Sequence, residues 1–297
     1  MKILIVGLGS AGMRHARLIN RYFPEYELFA LRSGKSTNSL PFVKNLSSWA
    51  EVSSIPFDVG FICSPTHLHI DQAFKCAVNN MNLFIEKPIS HSIDGLRSLL
   101  TIVHNSKLTA YVAYPFRHHI GFNALKRKFD KDNVKSAVFV CLTDIFNWGK
   151  TSYSFSGDTG GGAILELSHE IDLAEYLFGK IEKLDIVSID RFEKTERFNF
   201  SGIERSVKLV GSHANNKVSE FILDIGSVIE VRFLQYLYDG KSKNYEYKPT
   251  EMMYVDQLRY FFNNINNPKL INNFFDAAEL FGKIIVAKGC KKWINQK

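Results

Sequence analysis

Over the first third of the chain, apolar residues arrive in short unbroken runs: ILIV (3–6), ELFAL (27–31), VGFIC (59–63), LFIE (83–86) and TAYVAY (109–114). Runs without polar alternation predict strands buried on both faces. Between them, RHARLINRYF and HLHIDQAFKCAVNN repeat their apolar positions at helical spacing. Strand and helix in alternation require right-handed crossovers, and these build a doubly wound parallel sheet.

The rhythm changes after about residue 120. A helix is predicted near 121–130, a strand over 136–145, and a helix after three consecutive glycines. KLDIVSID, RSVKLVGS, KVSEFILDI and VIEVRFLQYLY then alternate with period two, which predicts a largely antiparallel sheet with one wetter face. Two helices, YVDQLRYFFNNI and FDAAELFGKIIVAKGCKKW, close the chain, with an asparagine-rich connection near 263–273. The fold class expected is α/β: an N-terminal Rossmann doubly wound parallel sheet over residues 1–119, then a C-terminal α+β domain on a largely antiparallel open sheet over 120–297.

Composition narrows the class without altering this outline. At 297 residues, 45% hydrophobic and 23% charged, the chain is an ordinary globular one, long enough for two medium domains. It has no apolar run of membrane-spanning length, and MKILIVGLGSAG breaks into glycines too early for a signal peptide, so a cytoplasmic protein is expected. Cys63, Cys76, Cys141 and Cys290 lie far apart without a C-x-x-C pair and are read as reduced and mostly buried. A net charge of +7 suits an anionic ligand. Because the basic residues are dispersed among acids, no nucleic-acid partner is expected.

Candidate chemistry begins at the first turn. Gly7, Gly9 and Gly12 stand in G-x-G-x-x-G spacing between a strand and a helix. Gly7 permits the tight turn, Gly9 lets a pyrophosphate approach the backbone, and Gly12 lets helix and strand pack closely. The amides of Ser10 and Ala11, at the helix N-terminus, then face the phosphates. The second strand runs out in FALRSGKS, where Arg32, Ser33 and Lys35 stand in place of the acidic residue that would accept from the ribose of NAD. Their donors and charge suit a 2′-phosphate, so NADP(H) is favoured over NAD(H); the alternative is that Arg32 and Lys35 are plain exposed turn residues.

Lys87, in IEKPI, sits at a strand's C-terminal end, the edge where parallel sheets bind ligands. Its ammonium can donate to a ligand oxygen that gains negative charge in a transition state. Glu86 holds either Lys87 or the cofactor ribose. In GGGAILELSHEID, steps of three put Glu166, His169 and Asp172 near one face of a helix, an imidazole between two carboxylates suited to proton exchange. The glycines would let that segment approach a ligand closely. His67, His69, His118 and His119 lack carboxylates at metal-binding spacing, so no metal is expected.

Five motifs in order, VGLGSAGMRH, CSPTHLH, FIEKPIS, AYPFRHH and GGGAILELSHEIDLAEYLFG, make the chain resemble the Gfo/Idh/MocA oxidoreductases. Trp148, ahead of the triple glycine, resembles members acting on sugars in bacterial surface-polysaccharide pathways. The resemblance implies hydride transfer between the nicotinamide and a sugar or nucleotide-sugar carbonyl or hydroxyl, with Lys87 polarising the oxygen and His169 relaying the proton. It places Ser64, Pro65 and His69 beside the cofactor and Arg117 and Tyr153 against substrate; for Glu166 and Asp172 the readings are that they orient His169 or contact substrate, with Glu166 alternatively facing the sheet. Trp148 has two readings, a platform for a sugar face or a core indole. A homodimer or homotetramer through the C-terminal sheet is implied as well. Thr66 stands where the family often has Asn, and Glu166 where it often has Asp. Two other readings are an NAD-dependent polyol or inositol dehydrogenase and a cofactor-binding sensor without turnover.

Overall fold

In the computed structural model, which describes residues 1–32, 39–148, 153–193, 202–267 and 274–289, the early apolar runs become parallel strands. The elements in chain order are β1 (Lys2–Val6), α1 (Ser10–Tyr22), β2 (Glu27–Leu31), β3 (Val43–Leu46), α2 (Trp49–Ser53), β4 (Val59–Ile62), α3 (His69–Val78), β5 (Asn82–Glu86), α4 (Leu96–Asn105) and β6 (Ala110–Ala113). The sheet order is β3-β2-β1-β4-β5-β6, with every pairing parallel. Because every pairing is parallel, all carboxyl ends share one edge, and the order reverses at β1, the kind of switch point at which such sheets bind ligands. α3 presses closely on the sheet: a Cβ on Gly60 would lie 2.7 Å from Cys76 Sγ.

The remaining elements are α5 (Ile120–Asp132), β7 (Ser136–Asp144), α6 (Ala163–Glu166), α7 (Ser168–Phe178), β8 (Ile181–Arg191), β9 (Glu204–His213), β10 (Lys217–Asp224), β11 (Gly226–Tyr238), β12 (Lys241–Glu246), α8 (Glu251–Asn263) and α9 (Phe274–Ala287). The second sheet runs β12-β11-β7-β10-β9-β8. It is largely antiparallel, as expected, but mixed: β7 lies between β10 and β11 and pairs parallel with β10. Phe139 and Phe221 stack at 5.3 Å on its buried face.

Residues Met1–Ala113 and Tyr254–Ala278 form one compact unit, and Tyr114–Met253 with the residues from Glu279 onward form the other. The division thus falls at Ala113 rather than residue 119, and most of α8, assigned by order to the second domain, belongs with the Rossmann sheet. The cause is burial. Val255, Leu258, Phe261 and Phe262 share a core with Ile5, Phe61, Phe84 and Tyr111, and Phe261 meets Phe84 edge-on at 5.3 Å. Among the described residues, no helix is long and apolar enough to cross a membrane.

Candidate active site

The first turn of the Rossmann unit has the geometry its glycines require. Gly7 has φ +93°, and a Cβ there would press within 2.9 Å of the Ser64 backbone. A Cβ on Gly12 would collide with the Gly7 carbonyl, so α1 crosses β1 in near backbone contact. At exposed Gly9 nothing lies within 4 Å of the Cβ position. That open approach, beside the unacidic first turn of α1 containing Ser10 and Ala11, fits a dinucleotide pyrophosphate. Arg32 follows β2, its Nη1 donating to Asn45 Oδ1 at 3.3 Å. Ser33 and Lys35 lie outside the described residues.

Two strands away on the same edge, β5 ends at Glu86 and passes into partly exposed Lys87, joined by a cis bond to Pro88. Glu86 is claimed by α1: His15 Nε2 lies 2.7 Å and Arg14 Nη2 3.1 Å from its Oε1, and Arg14 stacks 4.3 Å over Tyr254. Burial pushes the Glu86 carboxyl up, but the His15 hydrogen bond and the charges of Arg14 and Lys87 prevail and hold it at about 2. Fully buried His15 is pushed down by desolvation and donates as the neutral ring. Sequence reasoning missed Arg14 and His15. Their partner is more than seventy positions away, and only the charged pair on an otherwise core-facing helix hinted at one.

Ser64 donates through Oγ to Gln72 Oε1 at 2.5 Å. His69, 1% exposed, reaches the Pro88 carbonyl through Nδ1 and the Ser64 carbonyl through Nε2, each at 2.9 Å. It therefore ties the loop containing Ser64 and Pro65 to the segment that carries Lys87.

In the second unit the triple glycine has a local explanation. Gly160 and Gly162 adopt φ +97° and +108°. A Cβ on Gly161 would strike the Ser154 carbonyl, and one on Gly162 the Glu204 carboxylate. The close approach these glycines permit is to the unit's own β9 and preceding turn, where a ligand contact was expected. The expectation of one continuous helix also needs correcting. The chain breaks at Leu167 (φ −101°, ψ 19°), so Glu166 ends α6 while His169 and Asp172 ride on α7. Glu166 accepts from the Ser154 hydroxyl. Asp172 accepts a bidentate pair from Arg117, Nε at 2.9 Å and Nη2 at 2.7 Å. Burial raises the Asp172 carboxyl above its ordinary value despite that guanidinium. Arg117 and Asp172, both expected to touch substrate, thus engage each other.

The carboxylate beside His169 is its sequence neighbour. Glu170, fully buried, places Oε1 3.4 Å from His169 Nε2 and 3.3 Å from Arg232 Nε, and Tyr247 donates to its Oε2. Burial works against the Glu170 charge, yet His169, Arg232 and Tyr247 together keep the carboxyl below its ordinary value. Cys141 receives Arg232 Nε at 3.2 Å, and burial pushes its thiol up to about 12. Cys141, His169 and Glu170 bring donor atoms within 4.8 Å of one another. The Arg232 guanidinium stands against the same carboxylate, 3.3 Å from Glu170 Oε1. A charged residue within a buried apolar stretch was the available signal for Glu170. The histidine pairs are structural in part: His119 Nδ1 accepts from Gly121 N–H at 3.2 Å and caps α5. Trp148 keeps 37% of its surface exposed, and Tyr153 opens a short turn, Tyr153–Phe155.

Residues 1–114 match the model of an oxidoreductase family with an NAD-binding Rossmann fold, GFO_IDH_MocA. Over this stretch, less than half of the 297 residues, the chain is similar to the Gfo/Idh/MocA oxidoreductases. Among similar proteins, the uncharacterized oxidoreductase YrbE of Bacillus subtilis is 24% identical over 196 residues, covering 59% of this chain and 53% of its own. The scyllo-inositol 2-dehydrogenase (NAD(+)) of the same organism is 24% identical over 186 residues, 60% of this chain and 54% of its own. The chain therefore spans about half the length of these curated relatives. The WlbA dehydrogenase of Bordetella pertussis, solved with NADH and UDP-GlcNAcA, shares the fold across 97% of this chain and 96% of its own, with a TM-score of 0.80 at 13% identity. The Gfo/Idh/MocA match ends at Tyr114, one residue past the first stretch of the Rossmann unit.

Proposed function

We propose that the chain is an NADP(H)-dependent oxidoreductase that moves a hydride between the nicotinamide and a carbonyl or hydroxyl carbon of a sugar or nucleotide sugar. The observation that carries this is the shared edge: the Gly7–Gly12 turn and Lys87 stand on carboxyl ends of one parallel sheet, with Glu86 anchored behind the lysine. The bound nicotinamide supplies or accepts the hydride. Lys87 donates through Nζ to the substrate oxygen, His169 relays the proton, and His69, Ser64 and Pro65 keep the lysine segment in register with the cofactor loop. Trp148 and Tyr153 contact the sugar, while the Arg117–Asp172 pair shapes the wall. The UDP-GlcNAcA bound by the WlbA dehydrogenase supports a nucleotide sugar. Exposed Val187, Ile222 and Leu237 on the second sheet support self-association as a homodimer or homotetramer. A cytoplasmic setting, where nicotinamide cofactors are available, goes with this reading.

A second reading, an NAD-dependent polyol or inositol dehydrogenase, is favoured by the scyllo-inositol relative. Cofactor preference separates the two. KM for NADPH is expected below that for NADH, and Arg32→Ala is expected to raise the NADPH value about tenfold or more, since a charge-assisted contact to the 2′-phosphate is lost. A wild-type preference for NADH of about tenfold would establish the second reading instead.

A further inference from the structure

Resting on the proton-relay role proposed for His169, we propose that Glu170 is its positioning residue. The buried carboxylate accepts from His169 Nε2–H, fixes the tautomer, and assigns proton exchange with the substrate oxygen to Nδ1. The support is geometric. His169 Nε2 is buried and lies 3.4 Å from Glu170 Oε1, so the 11% exposure of this side chain belongs to its other atoms. A contact of that length is a loose one, and such contacts tighten to hydrogen-bond length when substrate binds.

Glu170 cannot swing away to find another donor. Tyr247 holds Oε2 from a position that is itself 4% exposed, and Arg232 Nε stands 3.3 Å from Oε1 as its ion-pair partner. The guanidinium is fixed in turn by Cys141 Sγ at 3.2 Å and by lying 5.3 Å over the Phe116 ring. Phe116 also packs on the imidazole, centroid to centroid at 5.4 Å. Among the described residues, the groups around the imidazole include Glu170 from its own helix, Cys141 from β7, Arg232 from β11, and Tyr247 and Phe116 from the flanking segments. Of these, only Glu170 and Arg232 carry charge, because the thiol and the phenol are both pushed up by burial. With the imidazole neutral the cluster sums to zero, and a proton taken up by Nδ1 leaves a cation whose nearest counter-charge is Glu170. A purely architectural role would need the Glu170–Arg232–Tyr247 contacts alone. The positioning role adds a carboxylate oxygen directed at the imidazole.

Glu170→Gln tests this, since the amide retains the shape and an acceptor for Tyr247 but loses the charge. Histidine ¹⁵N spectra of the full chain, with the His169 signal assigned by its loss in His169→Asn, report tautomer and titration independently of turnover. The wild type is expected to hold a proton on Nε2. In Glu170→Gln the signal is expected to move toward mixed tautomers, with the titration midpoint lower by about one pH unit or more. The limb of the kcat–pH profile that requires neutral His169 should move to lower pH by the same amount, and Glu170→Asp should restore part of both. Should Glu170→Gln fail to fold, Tyr247→Phe loosens the same carboxylate without changing charge and should shift the tautomer balance in the same direction. Unchanged ¹⁵N shifts and midpoint in these variants would overturn the positioning role. Full activity of His169→Asn would instead overturn the relay itself, leaving the spectra to decide the Glu170 contact separately.

Discussion

Lys87→Ala is expected to lower kcat by roughly 10²-fold or more, the loss typical of deleting one donor to a developing oxyanion. As hydride arrives at the carbonyl carbon, negative charge collects on the oxygen, and a positioned ammonium stabilises it without the reorganisation that solvent would need. The structure gives the lysine a defined base. Glu86 directly precedes it and is clamped by Arg14 and His15, while His69 secures the following Pro88 carbonyl. An interaction made mainly in the transition state lowers kcat and kcat/KM together while leaving cofactor affinity intact. Steady-state kinetics with a matching NADPH titration check this, and thermal melting confirms that the variant folds. Wild-type turnover in Lys87→Ala would remove the lysine from the chemistry.

The second large effect is on stability. Arg117→Ala is expected to destabilise the fold by about 3–5 kcal/mol, because Asp172, with 3% of its side chain exposed, loses both donors of a bidentate pair and keeps a buried charge. The pH dependence follows from the direction of the Asp172 shift. Its folded value already lies above the ordinary 3.8, and removing the guanidinium raises it further. A carboxyl raised in the folded state binds its proton more readily there than in the unfolded chain. The deficit of the variant is therefore smallest below the wild type's folded value, grows as pH rises through it, and levels off above the variant's higher folded value. Urea unfolding of both proteins between pH 4 and pH 8 measures it; a constant, small difference would show that the pair contributes little.

Much of the Rossmann unit was legible because its strands are buried on both faces and leave uninterrupted apolar runs. β3 was not: Val43–Leu46 is an edge strand with Lys44 and Asn45 exposed, and Val43 and Leu46 alone make no apolar run. β12, Lys241–Glu246, escaped notice for the same reason. Sheet order in the second unit was beyond local pattern, since the parallel β7–β10 pairing joins segments some eighty positions apart. α8 announced a buried face through its aromatics, but periodicity does not say which sheet covers that face, and Phe261 and Phe262 chose the first.

The candidate site divides along similar lines. Gly7, Gly9 and Gly12 were readable because each is required by a steric task within one turn. Around His169 the steps of three pointed to Glu166 and Asp172, and the helix break at Leu167 defeated the count. Glu166 then turned to Ser154, Asp172 to Arg117, and the carboxylate left beside the imidazole was the adjacent Glu170. Helical period describes a face only while the helix is continuous.

Hydride transfer itself is tested most directly with NADPH deuterated at C4, on each face in turn, incubated with keto sugars and sugar nucleotides and followed by mass spectrometry of the sugar. The wild type is expected to place one deuterium on a sugar carbon, and Lys87→Ala to place almost none in the same time. NADPH that binds, as judged by a rise in melting temperature, yet delivers no deuterium to any of these sugars would contradict the account and mark the chain as a cofactor-binding protein without turnover.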